Sequence, residues 1–289
     1  MQNETKNASD DLEPLVDAAG TTHEAVAAGE ARIVSLVPSL TELLCDLGLA
    51  PQLVGRTGFC IHPREVVRSI PKVGGTKDVR LDRLRELAPT HVVLNIDENT
   101  RETAQALVDV VPHVIVTHPC APEDNAALYS LFGGIFGREQ EAARLSSGLA
   151  DALTEAASLR VRVEEERVLY LIWREPWMTV SHQTYIASML ERVGWICLPD
   201  VHEPRYPSFE WDAEWLTDVQ RVFLSSEPYR FRERHLGEVT SLSGRPASLI
   251  NGEMVSWYGS RAIAGLRYLT ALRAELAGLP ATVPALPRV

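Results

Sequence analysis

Arg32-Ile33-Val34-Ser35-Leu36-Val37-Pro38-Ser39-Leu40-Thr41-Glu42 is the stretch on which the reading of this chain turns. A short apolar run stops at a proline, which suits a strand buried on both faces of a parallel sheet. Ser39 to Glu42 then has the spacing of a capping box and predicts a helix over Leu40 to Leu47, ended by Gly48. A strand, a loop and a helix in that order are the start of an α/β unit.

Working outward, the same texture continues. Leu53-Val54-Gly55, His91-Val92-Val93-Leu94-Asn95 and His113-Val114-Ile115-Val116-Thr117 read as further strands, with helices over Leu81 to Leu87 and Thr100 to Val108. Residues 138–166 are rich in Ala, Leu, Glu and Arg and read as one long helix. The alternation then restarts with Arg167-Val168-Leu169-Tyr170-Leu171-Ile172. A helix from Thr184 to Val193, a strand Arg221-Val222-Phe223-Leu224-Ser225 and a terminal helix from Ser260 to Leu276 follow. Arg-Val-Leu-Tyr-Leu at 167–171 echoes Arg-Ile-Val-Ser-Leu at 32–36. The expectation is an α/β protein of two lobes with parallel-type sheets, 32–137 and 167–276, joined by the helix over 138–166, with a ligand cleft between them. Residues 1–31 form an acidic tail, with seven acids to one base over the first thirty, and are expected to be disordered; residues 277–289 form a proline-rich tail.

Composition narrows function. The chain has 289 residues, 45% hydrophobic and 23% charged, which suits a globular protein. Its formal net charge of −11 argues against binding a nucleic-acid backbone. Four cysteines are too few for a disulfide scaffold, and no apolar run is long enough to span a membrane. Gly-x-Ser-x-Gly, Walker and Gly-x-Gly-x-x-Gly patterns are all missing. The paired acids Asp97-Glu98 and Glu210-x-Asp212-x-Glu214 have no companion motif that would make them an acid–base couple.

In an open parallel sheet, ligands sit beyond the carboxyl ends of the strands. Trp173-Arg174-Glu175-Pro176-Trp177 falls there: two indoles beside a guanidinium suit a flat or chelated ligand. Arg56, Arg174, Arg230, Arg232 and Arg261 fall on or near such loops and would favour an anionic chelate. Cys60-x-His62 and His118-x-Cys120 hold soft and borderline metal donors, which only the fold could bring together.

The opening stretch resembles that of the helical-backbone substrate-binding proteins of ABC importers, which bind vitamin B12 and ferric siderophores. Leu53-Val54-Gly55-Arg56-Thr57, the loop ending His62-Pro63, Ile70-Pro71-Lys72-Val73-Gly74-Gly75 and Leu87-Ala88-Pro89-Thr90-His91-Val92-Val93 continue the resemblance. It implies binding without chemistry, and no covalent cofactor. It also implies a cobalt- or iron-containing chelate, corrinoid-like or siderophore-like, pressed by aromatics from both lobes. On this chain those residues are Phe59, His62, Trp173, Arg174, Trp177, Arg230, Trp257, Tyr258 and Arg261. Asp82 and Glu214 are the expected docking acids for an importer permease, and the protein is expected to be a monomer that is not inserted in a membrane. A metal-cofactor enzyme or chaperone using the same cleft, or direct metal or haem binding through Cys60, His62, His118 and Cys120, stands as the alternative. Residues 1–30 hold no apolar export core, so the residues point to the cytoplasm. The resemblance points to the periplasm, reached if the true start lies upstream.

Overall fold

The computed structural model describes residues 14–280, so the first thirteen residues of the expected acidic tail and most of the proline-rich tail lie outside the described residues. In chain order the elements are β1 (Leu15–Val16), β2 (Thr22–His23), β3 (Ile33–Ser35), α1 (Pro38–Asp46), β4 (Leu53–Arg56), α2 (Arg64–Val67), α3 (Leu81–Leu87), β5 (His91–Asn95), α4 (Arg101–Val108), β6 (His113–Thr117), α5 (Asp124–Phe136) and α6 (Glu139–Arg160). They continue with β7 (Glu166–Leu171), α7 (Tyr185–Glu191), β8 (Trp195–Cys197), β9 (Arg221–Ser225), α8 (Leu236–Ser243), β10 (Ala247–Ile250), α9 (Gly252–Ser256) and α10 (Arg261–Leu276).

The chain divides into two compact units. One holds the residues up to His118 together with Ser130–Glu141; the other holds Pro119–Tyr129 and everything from Ala142. The chain therefore changes unit three times, twice at points that fall within α5 and α6.

Each unit has a four-stranded, wholly parallel sheet. The first is ordered β4-β3-β5-β6 and the second β8-β7-β9-β10. These are one wiring used twice. The first strand of each unit lies inside, the second pairs on one flank, and the third and fourth extend the other. The sequence echo between 32–36 and 167–171 marks the inner starting strands of the two sheets. Strand order reverses between β3 and β5, and again between β7 and β9, and these are the switch points where ligands bind in open sheets.

The sheets form where the apolar runs predict them. Val34, Leu36, Val92 and Leu94 are buried with Val73, Leu84, Leu107 and Val111 in the first unit. Leu169, Leu171, Val222 and Leu224 are buried with Phe209, Val219, Phe231 and Val239 in the second. Each such side chain contributes roughly 1.5–3 kcal/mol by leaving water. Gly55 has a packing reason: a Cβ there would lie 2.8 Å from Leu87 Cδ1, so only glycine lets the end of α3 close on β4.

Three expectations need correction. The capping box does not form: α1 starts earlier, with Val37 as its cap and Pro38 in its first turn, and Ser39 Oγ is buried without a partner. The long helix stops at Arg160, and a turn separates it from β7. Most instructive is the tail. From residue 14 the supposedly disordered segment is an antiparallel β1–β2 hairpin, held by one carboxylate. Asp17 Oδ1 accepts from the amides of Ala19 and Thr21, both at 2.9 Å. Its Oδ2 accepts from Val116 N at 2.9 Å and meets His23 Nε2 at 3.1 Å. Ala18 N donates to Val116 O, so the hairpin covers the outer edge of β6. Composition missed this because the ordering comes from backbone amides gathered on an acid, not from large apolar residues.

Candidate binding site

In the second unit, the loop after β7 and the loop after β9 meet at the switch point. The β7 loop is closed by Ile172 N donating to Met178 O and Met178 N to Trp173 O. Tyr229 N donates to Ile172 O and ties the β9 loop to it. Trp173 stands at the tip, 40% exposed, edge-on to Tyr229 with ring centres 5.6 Å apart. Arg230, beside Tyr229, is exposed.

The other aromatics of the β7 loop behave differently. Trp177 packs against Trp211 and Phe231 at 5.2 and 6.2 Å and joins the hydrophobic cluster beneath the sheet. It closes the core, and the expected ligand contact is not the role its surroundings give it. Arg174 lies over Trp177 but is committed to acids: Nη1 reaches Glu175 at 2.6 Å and Nη2 reaches Glu238 at 2.9 Å. The Glu238 hydrogen bond is the main cause of its raised pKa.

Trp257 is 7% exposed, so it offers little ring to a ligand. Its indole Nε1 donates to Glu227 and its face carries Arg261, whose Cζ is 4.5 Å from the ring centre. Tyr258 is buried edge-on to Tyr185. Burial pushes the Glu227 carboxyl above the usual range against the hydrogen bonds of Ser256 and Trp257.

The first unit presents a different set of groups at its strand ends. Phe59 is 62% exposed on the loop after β4, with Ile61 also exposed two residues on and His62 half-buried beside it. Ile96 is exposed at the start of the loop after β5. Behind them lies a buried polar layer. Thr41 Oγ1 donates to Ser35 Oγ at 2.8 Å, Asn95 N donates to Asn99 Oδ1 at 2.9 Å, and Asn99 Nδ2 donates to Thr76 O at 2.7 Å. The loop rule identified these segments, but it could not single out Ile61, Ile96 or Tyr229, because no pattern separates an exposed isoleucine from a core one in a single sequence.

The cysteine–histidine pairs do not converge. Cys60 is buried, its Sγ 3.1 Å from Thr57 Oγ1, and burial raises its pKa. His118 Nε2 lies 3.5 Å from Asp97 Oδ1. His62 and Cys120 complete no set with them: among the described residues no three His, Cys, Asp or Glu side chains are placed to hold a metal ion. All four cysteines are free, and burial pushes Cys45 and Cys197 up to about 12. Asp82, on the first turn of α3, and Glu214, in a 3₁₀ turn before β9, are exposed.

Twice-used parallel wiring, with aromatic and guanidinium groups on the strand-end loops, defines a binding protein of two α/β units. A sequence model described as periplasmic binding protein matches residues 33–212, and the chain belongs to that family. Among solved structures, the periplasmic vitamin B12 binding protein of Vibrio cholerae aligns with a TM-score of 0.71 at 16% identity, over 86% of this chain and 98% of that one. A periplasmic heme-binding protein from Roseiflexus sp. RS-1 aligns with a TM-score of 0.72 at 19% identity, over 86% and 100%. A possible iron-binding, periplasmic solute-binding protein from Staphylococcus epidermidis aligns with a TM-score of 0.70 at 17% identity, over 85% and 98%. No curated protein matches significantly. The family is periplasmic, which overturns the cytoplasmic expectation. That expectation rested on something residues 1–30 lack, and a missing feature carries no information about compartment. Among the described residues no helix is long and apolar enough to cross a membrane.

Proposed function

We propose that this chain captures a metal chelate with a large flat face, haem-like or corrinoid-like, and passes it unchanged to an ABC importer permease. The observation that carries the reading is the Trp173–Tyr229 pair: two aromatics exposed at the β7/β9 switch point, with Arg230 next to them. Leaving a tryptophan 40% exposed on a well-tied loop has little use to the fold, and its ring is suited to stacking. Phe59, Ile61 and Ile96 supply apolar surface from the first unit's loops. Arg230 and Arg261 are the groups suited to an anionic substituent, while Arg174 is held by its own acids. The family and the titles of structural neighbours, which bind vitamin B12 or heme, support the same class.

The test is titration of the purified protein with haemin, cyanocobalamin, and ferric catecholate and ferric hydroxamate siderophores, followed by tryptophan quenching. Saturable binding of haemin or cyanocobalamin is the expected result. Binding of siderophores alone would remove the flat-face argument, and saturable binding of none would overturn the reading.

A further inference from the structure

Glu227 follows β9 and is largely enclosed, yet the ligand contacts proposed above make no use of it. Its Oε1 accepts two hydrogen bonds from the chain that leaves α9, from Ser256 Oγ at 2.7 Å and from Trp257 Nε1 at 2.8 Å. The backbone beneath is equally fixed. Ser225 Oγ donates to Glu227 O at 2.6 Å, and Gly252 N donates to Ser226 Oγ at 2.8 Å. A Cβ on Gly252 would lie 2.6 Å from Glu227 Cγ and 2.5 Å from Ser225 Oγ, so glycine is what lets α9 come this close. On the other side of the indole, Arg261 rests on the Trp257 ring, where the π-cloud attracts a cation, and its Nη1 reaches Glu253 at 2.7 Å.

We propose that Glu227 is the positioning residue of the second unit's binding surface: its carboxyl fixes the indole of Trp257, and the indole fixes the guanidinium of Arg261 that meets an anionic group of the ligand. The proposal rests on the binding function above. An indole has one hydrogen-bond donor, so one acceptor on Nε1 selects one orientation of the ring plane. Whatever selects the plane also selects where a cation can lie over it. The arrangement further couples the platform to pH. The groups facing Glu227 are Glu253 and Ser256 from α9, Arg261 from α10, Tyr170 from β7 and Ser225 from its own strand. Burial holds the carboxyl proton more tightly than usual, and protonation weakens Oε1 as an acceptor for the indole.

The test follows the indole Nε1–H resonance of Trp257, assigned with Trp257→Phe, in ligand-free ¹⁵N-labelled protein across the acid range. Haemin affinity is measured in parallel. In the wild type the resonance is expected to move in one step above the ordinary carboxylate range, and in Glu227→Gln it is expected not to move. Glu227→Ala is expected to bind haemin about tenfold more weakly, while Glu227→Gln, which keeps an acceptor, stays within about threefold of the wild type. A pH-independent resonance in the wild type, or wild-type haemin affinity in Glu227→Ala, overturns the proposal. If Glu227→Ala does not fold, the comparison of wild type with Glu227→Gln decides it. If no chelate binds the wild type, the functional reading fails by itself, and the resonance still shows whether Glu227 holds Trp257.

Discussion

The two units share one strand order and differ at the ends of those strands. The first unit backs its loops with hydroxyls and amides and leaves Phe59, Ile61 and Ile96 in solvent. The second backs its loops with an aromatic cluster and a chain of charge-assisted contacts, and exposes Trp173. Because the wiring is common, it cannot be what distinguishes them; it sets where a ligand can be met, and the loop residues set what is offered there. Polar buried layers hold a loop in one place, while the aromatic side carries the larger contact surface.

The largest expected departure between the units is their response to acid. His91 is buried on β5 and stacked on His113 at 4.6 Å, and desolvation, with His113 and His23 nearby, lowers its pKa to about 4. An unfolded histidine titrates near 6.5, so as pH falls the unfolded chain takes up the proton first. The contribution is whole above about pH 6.5 and lost toward pH 4, by about 2–3 kcal/mol. Glu227 in the second unit works the other way: its raised pKa lets the folded state hold a proton more tightly, so its contribution grows as pH falls. Urea midpoints of wild type and His91→Asn, near neutrality and at about pH 5, check this. Equal acid sensitivity in both proteins would place the loss elsewhere.

A smaller difference is expected in binding. Trp173→Ala should weaken haemin or cobalamin binding by about 1–3 kcal/mol with the unfolding midpoint unchanged. Phe59→Ala should cost about 1 kcal/mol or less, since an isolated ring supported by no aromatic neighbour is a weaker anchor. Isothermal titration of both variants measures the asymmetry. A larger loss from Phe59→Ala would reverse the ranking of the two surfaces.

The smallest effect on the molecule itself is expected at the exposed acids, one in each unit. Asp82→Lys and Glu214→Lys should each change stability by less than about 0.5 kcal/mol and leave chelate affinity intact. Uptake through a reconstituted permease should nevertheless fall in both. Unchanged uptake would leave these acids as solvated helix-start charges that complement a dipole.

What could be read from sequence follows from how each signal arises. Buried parallel strands announce themselves as apolar runs, so β3, β5, β6, β7 and β9 were all expected near their observed places. β8 and β10 were not, because Trp195-Ile196-Cys197 is too short to show a period and Ala247 to Ile250 is half polar. The switch-point rule located the loops. It could not say that Trp177 turns inward while Trp173 turns outward, four residues apart in one turn, because that choice is made by Trp211 and Phe231 from distant parts of the chain. Asp17 was visible only as one acid among seven.

The first unit is discontinuous in the chain, and this bears on how the protein is made. All four strands of its sheet have been synthesised once His118 has been added. The N-terminal hairpin still lacks its seat at that moment. Leu15 packs where a Cβ on Gly134 would be 2.5 Å from its Cδ2, and Val26 N donates to Ile135 O at 2.8 Å. A nascent chain must therefore thread Pro119–Tyr129, which belongs to the other unit, before its own beginning can be fastened. Until then the outer edge of β6 is open to any strand in the neighbourhood, and that interval is when a chaperone would matter most.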